Sequence, residues 1–521
     1  MEKLYIGKNA KSRGRNVVYN SIASIVCNVL SYLISFVYRS VFIRYLNAEY
    51  LGLQGVFGNI LQLLSLAELG IGSAMLFSMY KPLYEHDNDK LSALLNYYKK
   101  AYQIISVIVL LLGVAMLPLL DFFIGDAPNV AESLHIIYLF YLCNSVVSYV
   151  CVYKQALLSA DQKGFIVTIA TALFQIIRTC LQILVLTLTR SYLLTLSIQI
   201  ICTLVTNVFC SRIAQKMYPE VLSNHVEVLG AKDKTAIRCK IGAMMKYRLG
   251  AYVVDGTDSL LITKFCGLAS AGIYSNYLLI ISMLRVFINY IAKALTPSIG
   301  NFEAQQGKQA IRGLIEKVNF VFFVLTSICT VCLYNLINPF IHLWIGENYI
   351  LEHNVVVFIC VNFYLTGMHQ GMLVFRNALG LYTYLQFKPI AEAAINLIAS
   401  IICGLYWGMA GVLAATTLSF LLTAFWIEPY VLYKKYEMSG MMRYWKMYGL
   451  YALITLLAVV CTELINKYIT SSTIVLWIVS AVFNVIITIG LITLFLFKTE
   501  VYKDTLRHIR CALRRQECHG K

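Results

Sequence analysis

Residues 473–497, TIVLWIVSAVFNVIITIGLITLFLF, indicate the class of protein to which this chain belongs. The segment has no charged side chain, and as a helix it is long enough to cross the roughly 30 Å of hydrocarbon in a bilayer. Its apolar residues run continuously instead of alternating with polar ones, so it lacks the pattern of a membrane β-barrel strand. The segment therefore predicts a transmembrane helix.

Similar apolar segments recur along the rest of the chain. Of its 521 residues, 59% are hydrophobic and 13% charged, and the mean hydropathy is +0.70, whereas soluble domains are nearer a quarter charged. We therefore predict an all-α integral membrane protein of about fourteen transmembrane helices, the first one retained and not a cleaved signal peptide. The predicted spans are 16–43, 53–80, 101–120, 133–157, 164–189, 191–213, 241–263, 268–292, 314–337, 352–375, 388–407, 409–433, 447–466 and 473–497.

The distribution of basic residues predicts the orientation of these spans. The net charge of +17 could suggest a nucleic-acid partner, but 35 of the 43 Lys and Arg residues fall on the side of the N-terminus. The opposite side carries only Arg44, Arg190, Lys264 and Lys467. This is the positive-inside asymmetry, and it predicts a multi-pass protein with both termini in the cytoplasm. The charge therefore indicates topology and contact with anionic lipid headgroups, and no nucleic acid is expected.

Three sequence matches at nearly one offset indicate an internal duplication. RY at 44–45 with GL at 52–53 matches KF at 264–265 with GI at 272–273. FIGD at 123–126 after Pro118 matches WIGE at 344–347 after Pro339, and YKQAL at 153–157 matches FRNAL at 375–379. The offsets are 220 to 222 residues. Because six spans is an even number, both halves would enter from the same side, with a pseudo-two-fold axis along the membrane normal.

The duplication predicts five parts of the chain. Two pseudo-symmetric six-helix bundles are followed by two additional C-terminal helices. The predicted boundaries are 1–213 for the first bundle, 214–240 for a cytoplasmic linker, 241–435 for the second bundle, 436–497 for helices 13 and 14, and 498–521 for a basic cytoplasmic tail.

Charged residues inside spans are the candidate functional residues, because each costs about 2.5–3.5 kcal/mol at the centre of a spanning helix. In spans 1, 2, 5 and 8 they belong to polar stripes with helical spacing, which we expect to line an interior. Arg248 and Arg285 are expected at similar depth in spans 7 and 8. Two arginines at one level favour an anionic ligand such as a phosphate, which arginine binds bidentately. The candidate substrate-binding residues are Arg39, Arg178, Arg248 and Arg285, and the candidates for coupling or charge compensation are Glu68, Asp255 and Asp258.

Structural explanations for the same residues remain open. Arg248 could pair with Asp255 or Asp258, and Arg39 or Arg178 could pair with Glu68. We interpret Glu392 and Glu428 as side chains that snorkel to the interface, and His369 as a satisfied interior histidine. The fifteen cysteines are scattered through spans, so we predict neither disulfides nor a metal site. Walker, Rossmann and His-Glu-x-x-His motifs are missing from the sequence, so we predict no catalytic residues, no cofactor and no enzymatic activity.

Short motifs also connect the chain with a known family. YLNAEYLGL at 45–53, ELGIG at 68–72 and LWIG at 343–346 resemble the polysaccharide transporter branch of the multidrug/oligosaccharidyl-lipid/polysaccharide (MOP) exporter superfamily. The resemblance implies a Wzx-type flippase of the bacterial cytoplasmic membrane. Its substrate would be an undecaprenyl-pyrophosphate-linked oligosaccharide, moved by alternating access for capsule, O-antigen or exopolysaccharide synthesis. Membrane lipids, a glycan polymerase and glycosyltransferases are the implied partners.

The resemblance also implies a site. Related peptidoglycan precursor flippases have a cationic cavity between spans 1, 2, 7 and 8, and a groove for the lipid tail at spans 13 and 14. Arg39, Arg248 and Arg285 fall in helices where those flippases place arginines. Glu68 departs from them, because it lies in the span where they have a basic residue.

Two other functions remain open at this stage. A cation-coupled multidrug exporter of the same superfamily would use the carboxylates to bind H⁺ or Na⁺, whereas a flippase could also use the membrane potential. A membrane-embedded glycan polymerase or ligase usually needs a large outer loop. The longest outer connection here, about 338–351, is short.

Overall fold

The computed structural model describes residues 10–68, 71–124, 129–222, 229–307, 311–467, 473–505 and 507. Regular structure in these ranges is helical throughout, and the chain divides into two compact units, Met1–Gly272 and Ile273–Lys521. The all-α class predicted from the sequence is confirmed.

The first unit contains ten helices in the part of the chain that the structure describes, and a 3₁₀ turn at Ser65–Glu68 separates the second from the third. The bounds are α1 Ala10–Tyr45, α2 Ala48–Leu64, α3 Ile71–Glu85, α4 Asn88–Ala115, α5 Leu120–Ile124, α6 Leu134–Ser148, α7 Val152–Ala160, α8 Gly164–Thr189, α9 Tyr192–Met217 and α10 Ala231–Cys266.

The second unit continues the helical pattern. Its first helix begins in the last residues of the first unit. The bounds are α11 Leu268–Gln306, α12 Ile311–Ile345, α13 His353–Ala378, α14 Lys388–Leu422, α15 Ala424–Lys435, α16 Met441–Asn466 and α17 Ile474–Leu496.

Length and apolar composition account for most of the predicted spans. Among the described residues, ten helical segments are long and apolar enough to cross a membrane, and α6 with α7, bent by 46°, makes an eleventh. Three predicted spans remain. One of them coincides with α2 and α3 together, which the 3₁₀ turn separates, and another with the charged helix α10. The third coincides with the second of two passes in the segment Lys388–Lys435.

The two passes of Lys388–Lys435 are joined at a glycine. A straight helix of this length would extend about 70 Å, more than twice the hydrocarbon thickness. The chain instead reverses at Gly408, which has φ 55° and ψ −133°. A Cβ atom on Gly411 would lie 2.0 Å from the carbonyl oxygen of Cys403. Only glycine fits both the backbone angle and the close approach, so a hairpin forms here.

Two further glycines bring α2 and the first turn of α11 into backbone contact within the first unit. A Cβ atom on Gly52 would lie 2.2 Å from the carbonyl oxygen of Leu268, and one on Gly272 would lie 2.0 Å from that of Ala48. Ala48 and Leu268 are 220 residues apart, as are Gly52 and Gly272, so the two contacts are equivalent under the sequence repeat. A reciprocal contact of this kind is expected from a two-fold relation. It supports the duplication.

In the second unit, the last two helices, α16 and α17, both pack on α12. The rings of Phe323 and Tyr451 stack at 4.0 Å. Next to them, the hydroxyls of Ser327 and Thr455 lie 2.7 Å apart, and Asn335 of α12 donates a hydrogen bond to Thr462 of α16 at 2.9 Å. Such hydrogen bonds commonly hold apolar helices together in membranes. The predicted helices 13 and 14 therefore pack on the second bundle, and Trp477 of α17 donates to the Leu336 carbonyl oxygen of α12 at 3.1 Å.

The predicted bundle boundaries follow the repeat and stay a prediction. The compact units divide the chain at a different place, because α10 packs on α2, α3 and α5 and belongs to the first unit. A boundary drawn from a repeat describes ancestry, whereas one drawn from packing describes which helices touch in one conformation.

Candidate functional site

The polar stripes of α1 and α8 meet each other in the first unit. These two helices pack along their lengths, and the Ser31 hydroxyl donates a hydrogen bond to the side-chain oxygen of Gln175 at 3.0 Å. Near the start of α8, the side-chain oxygen of Asn20 accepts from the Phe165 N–H at 2.5 Å. Part of the two stripes is therefore satisfied at a helix interface, not in an open cavity.

The two candidate arginines of these helices converge on Tyr38. Arg39 lies among Tyr38, Tyr141 and Tyr192, and Arg178 also interacts electrostatically with Tyr38. The Nε atom of Arg178 is buried and makes no hydrogen bond within the described ranges. A buried guanidinium N–H of this kind needs an acceptor. The pair thus forms a cationic centre that can accept an anionic group.

A chain of hydroxyl contacts extends from this centre toward the loop before α6. The Tyr141 and Tyr192 hydroxyls lie 2.7 Å apart. The backbone N–H of Tyr192 donates to Glu132 at 3.3 Å, and the Tyr50 hydroxyl donates to the other oxygen of the same carboxylate at 2.5 Å. These contacts fix the tyrosines that surround Arg39.

Glu68 lies at the break between α2 and α3, where its carboxylate is held by tyrosines. The Tyr102 hydroxyl donates to it at 2.6 Å and in turn lies 3.3 Å from the Tyr98 hydroxyl. Tyr149 is a further electrostatic neighbour. A carboxylate at an interrupted span is a typical place for an ion or proton in transporters, and here hydroxyl donors already stabilise it.

The candidates of α10 are described in part. The side chains of Arg248 and Asp255 lie outside the described residues, so their predicted roles stay predictions. Asp258 is half-buried. A Cβ atom on Gly256, two residues before it, would lie 3.6 Å from the Leu63 side chain of α2, so spans 2 and 7 pack together at this level.

Arg285 lines a pocket of the second unit. The pocket has a volume of about 130 Å³, enough for about four waters. Asn289 of α11 shares it with Thr366 and Gln370 of α13, so amide and hydroxyl groups line the same pocket as the guanidinium. This lining suits an anionic or sugar-like group.

The structure also contains a buried ion network that the sequence analysis did not predict. Glu428 of α15 is only 3% exposed. One carboxylate oxygen lies 3.1 Å from Arg376 of α13 and 3.4 Å from Lys388 of α14, and the other lies 3.2 Å from Nε2 of His369. Lys388 also pairs with Glu392 at 2.7 Å. The interpretation of Glu428 as a snorkelling side chain is therefore wrong, and Glu392 is part of the same network.

Burial requires this pairing, because an unpaired charge inside a membrane helix bundle is costly. Sequence spacing contained part of the signal. His369 and Arg376 are seven residues apart and share a face of α13, and Lys388 and Glu392 are an i,i+4 pair. No spacing in the sequence indicated that α15 supplies the carboxylate between them.

Cys329 and Cys332 of α12 have Cys-x-x-Cys spacing, which the sequence analysis did not use. Both are free thiols. Within the described ranges, no group of three or more His, Cys, Asp or Glu side chains is placed to hold a metal ion.

Comparisons with known proteins identify the fold and the family. The lipid II flippase MurJ, in an inward closed conformation, is similar with a TM-score of 0.65 and 14% identity over 92% of this chain and 100% of MurJ. An inward-facing MATE family multidrug resistance transporter of the MOP superfamily is similar with a TM-score of 0.62 and 13% identity. The match covers 81% of this chain and 100% of that transporter. A Vibrio cholerae MATE transporter is similar with a TM-score of 0.56 and 15% identity, over 83% of this chain and 99% of the transporter.

These likenesses show the fold, which the chain shares with solved MOP superfamily transporters, and they confirm a multi-pass membrane protein. No curated protein sequence matches the chain. The profile of the family described as "Polysaccharide biosynthesis protein" matches residues 17–303, more than half of the 521. The chain therefore belongs to the polysaccharide biosynthesis protein family.

Proposed function

We propose that this chain is a flippase that moves an undecaprenyl-pyrophosphate-linked oligosaccharide across the bacterial cytoplasmic membrane. The observation that carries the proposal is the family membership of a chain whose fold is that of a lipid II flippase. The solved structure is described as a lipid II flippase and the family as one of polysaccharide biosynthesis, and the sequence resemblance implies a lipid-linked oligosaccharide as the substrate. The product would supply capsule, O-antigen or exopolysaccharide synthesis, with a glycan polymerase and glycosyltransferases as pathway partners.

The pyrophosphate is the part of the substrate that the arginines would bind. Arg178 has a buried Nε atom without an acceptor among the described residues, and Arg285 lines a polar pocket. Guanidinium groups bind phosphate oxygens bidentately. In alternating access, Arg248 and Arg285 would meet the pyrophosphate first and Arg39 with Arg178 later, while the polyprenyl chain stays in lipid.

The orientation follows from the basic loops. Both termini lie in the cytoplasm under this proposal, so the substrate enters from the side that carries 35 of the 43 basic residues. Moving an anion outward across an inside-negative potential is downhill by about 2.3 kcal/mol per charge per 100 mV. The membrane potential therefore favours export, and coupling to H⁺ or Na⁺ would add to it.

A cation-coupled multidrug exporter is the second candidate. It is favoured by the likeness to MATE transporters and by a carboxylate, Glu68, at the interrupted span. In that case Glu68 and Asp258, with Asp255, would bind the coupling cation, and the arginines would be structural.

The test uses a strain that lacks the chain and is complemented with variants at equal membrane abundance. Arg178→Ala and Arg285→Ala each remove a charge-assisted contact worth about 1.5–3 kcal/mol, so surface polysaccharide should fall about tenfold or more. Arg248→Ala tests the remaining candidate. Arg44→Ala, at the exposed end of α1, is the control and should support wild-type amounts.

Wild-type polysaccharide from both Arg248→Ala and Arg285→Ala would refute the site. Unchanged polysaccharide in the deletion strain, together with increased sensitivity to cationic drugs, would replace the flippase with the exporter.

A further inference from the structure

The network around Glu428 contains one basic group more than it contains carboxylates. Arg376 and Lys388 balance Glu428 and Glu392, and His369 is the fifth member. Histidine is the side chain whose charge ordinarily changes between about pH 5 and 8. The network is therefore neutral when the imidazole is neutral and carries one positive charge when it is protonated.

Two atoms of the network are placed where the charge of the imidazole matters most. Nε2 of His369 and one carboxylate oxygen of Glu428 are both buried, and neither has another hydrogen-bond partner within the described ranges. They face each other at 3.2 Å. The Phe420 ring packs edge-on against the imidazole, with the ring centres 5.2 Å apart. The N–H of a neutral imidazole can lie between this nitrogen and this carboxylate oxygen, and a second proton on the other ring nitrogen makes the imidazole a cation that faces the carboxylate.

We propose that His369 and Glu428 form a binding site for one exchangeable proton. The site lies about 10 Å from the end of α15, because Glu428 is seven residues before Lys435. The charged and titratable groups that face Glu428 are His369 and Arg376 on α13, Lys388 and Glu392 on α14, and Tyr444 on α16.

Proton binding would redistribute the contacts of the network. A charged imidazole places three cations around the single carboxylate of Glu428. Of the two cations that share one of its oxygens, Lys388 is the more distant, at 3.4 Å, and it has an alternative partner in Glu392 at 2.7 Å. Lys388 therefore leaves Glu428 on protonation. Arg376 and His369 of α13 stay on α15, while the start of α14 is released from it.

Binding of the proton does not depend on the substrate, but its role as a coupling ion rests on the proposed flippase function. The first measurement is therefore made without substrate. Full-length protein in lipid nanodiscs is labelled in its histidine rings, and the His369 signal is identified by its loss in His369→Gln. The pH is varied over the range in which histidine ordinarily changes charge, about 5 to 8, and we expect this signal to report the binding of one proton whose midpoint moves in Glu428→Gln.

The exposed His342 at the end of α12 supplies the matched control, because His342→Gln should leave the His369 titration unchanged. A His369 signal that stays constant over the whole pH range would overturn the proton site. So would a titration that is the same in wild type and Glu428→Gln.

The second measurement tests coupling in vesicles that contain a fluorescent polyprenyl-pyrophosphoryl hexose as the probe. Wild-type translocation should follow a one-proton pH profile, and in His369→Gln the rate should vary by less than about twofold over the same range. If the protein moves the probe and His369→Gln keeps the wild-type pH profile, the coupling role is wrong. If no variant moves the probe while His369 still titrates, the flippase function fails and the proton site stands.

Discussion

Lys154 and Arg376 occupy the same position of the repeated motif, YKQAL and FRNAL, yet their surroundings differ. In the first unit, Lys154 donates one hydrogen bond of 3.3 Å to the side chain of Gln215, which is exposed. In the second unit, Arg376 donates to Glu428, which is buried and has two further basic neighbours. One copy of the motif ends in a solvated polar contact, and the other ends in a buried ion network.

The packing around the two motifs has diverged less than the charge. Thr203 of α9 donates to the side-chain oxygen of Asn144 on α6 at 2.9 Å, and Thr417 of α14 donates to that of Asn362 on α13 at 2.7 Å. Each pair joins the fourth and sixth predicted spans of its half. The comparison teaches that helix contacts can be retained through a duplication while one half gains an electrostatic centre.

The largest expected difference between the two regions is in folding stability. Glu428→Ala would leave Arg376 and Lys388 without their shared carboxylate, at a cost of about 3–5 kcal/mol. Gln215→Ala removes one exposed contact and should cost less than about 1 kcal/mol. The free energies of unfolding of the purified full-length variants, measured in one mild detergent, would compare the two.

A paired substitution controls for the volume that alanine removes. Replacing Arg376 and Glu428 together by Met eliminates both charges, and buried ion pairs replaced by apolar groups are often neutral or stabilising. The double variant should therefore be more stable than Glu428→Ala. If Glu428→Ala and Gln215→Ala lower the free energy of unfolding by the same amount, the buried network does not stabilise the second unit more than the exposed contact stabilises the first.

The hydrogen bond between threonine and asparagine that both halves retain should make an intermediate contribution to the free energy of unfolding in both regions. Thr417→Val and Thr203→Val each remove one interhelical hydrogen bond and keep the shape of the side chain. Such bonds between membrane helices average about 0.6 kcal/mol, with a maximum near 1.7. Asn362 is only 8% exposed, whereas Asn144 is half-buried. Thr417→Val should therefore cost more, because it leaves the more buried acceptor without its donor.

The same unfolding assay measures both variants, and Thr206→Val is a control, because the hydroxyl of Thr206 bonds only its own helix in the contacts described, to the Cys202 carbonyl. A larger cost for Thr203→Val than for Thr417→Val would contradict the burial argument.

The sequence predicted the helices because span length and hydropathy are local properties. Fourteen apolar segments could be found one at a time, and the hairpin at Gly408 falls between the predicted spans 388–407 and 409–433. The duplication could also be predicted from the sequence, where Gly52 and Gly272 match. In the fold, each of these glycines lies against a backbone carbonyl of the other helix. These features depend on short stretches of chain and on symmetry.

Side-chain partners could not be predicted from the sequence in this way. Glu428 contacts residues of α13 and α14 that lie 40 to 59 positions earlier in the chain. Glu68 accepts a hydrogen bond from Tyr102 of α4, whereas the sequence left an arginine partner open. Which faces of two helices meet depends on crossing angles and rotation, which hydropathy does not contain. The candidate site came from counting charges, and its residues stay a prediction. The four basic residues of the chain that fall on neither side of the predicted membrane are Arg39, Arg178, Arg248 and Arg285.

The smallest expected effect comes from making the first unit resemble the second. Gln215→Glu places a carboxylate opposite Lys154, as Glu428 lies opposite Arg376. Because the position is exposed, the new ion pair should stabilise the protein by about 0.2–1 kcal/mol, and added salt should weaken it. Unfolding at about 50 and 500 mM salt measures both effects, with Gln215→Met as the uncharged control. A gain above about 2 kcal/mol that salt does not alter would mean that the surroundings of Lys154 exclude water as those of Arg376 do. The contrast between the two motifs would then arise from the identity of one residue and not from burial.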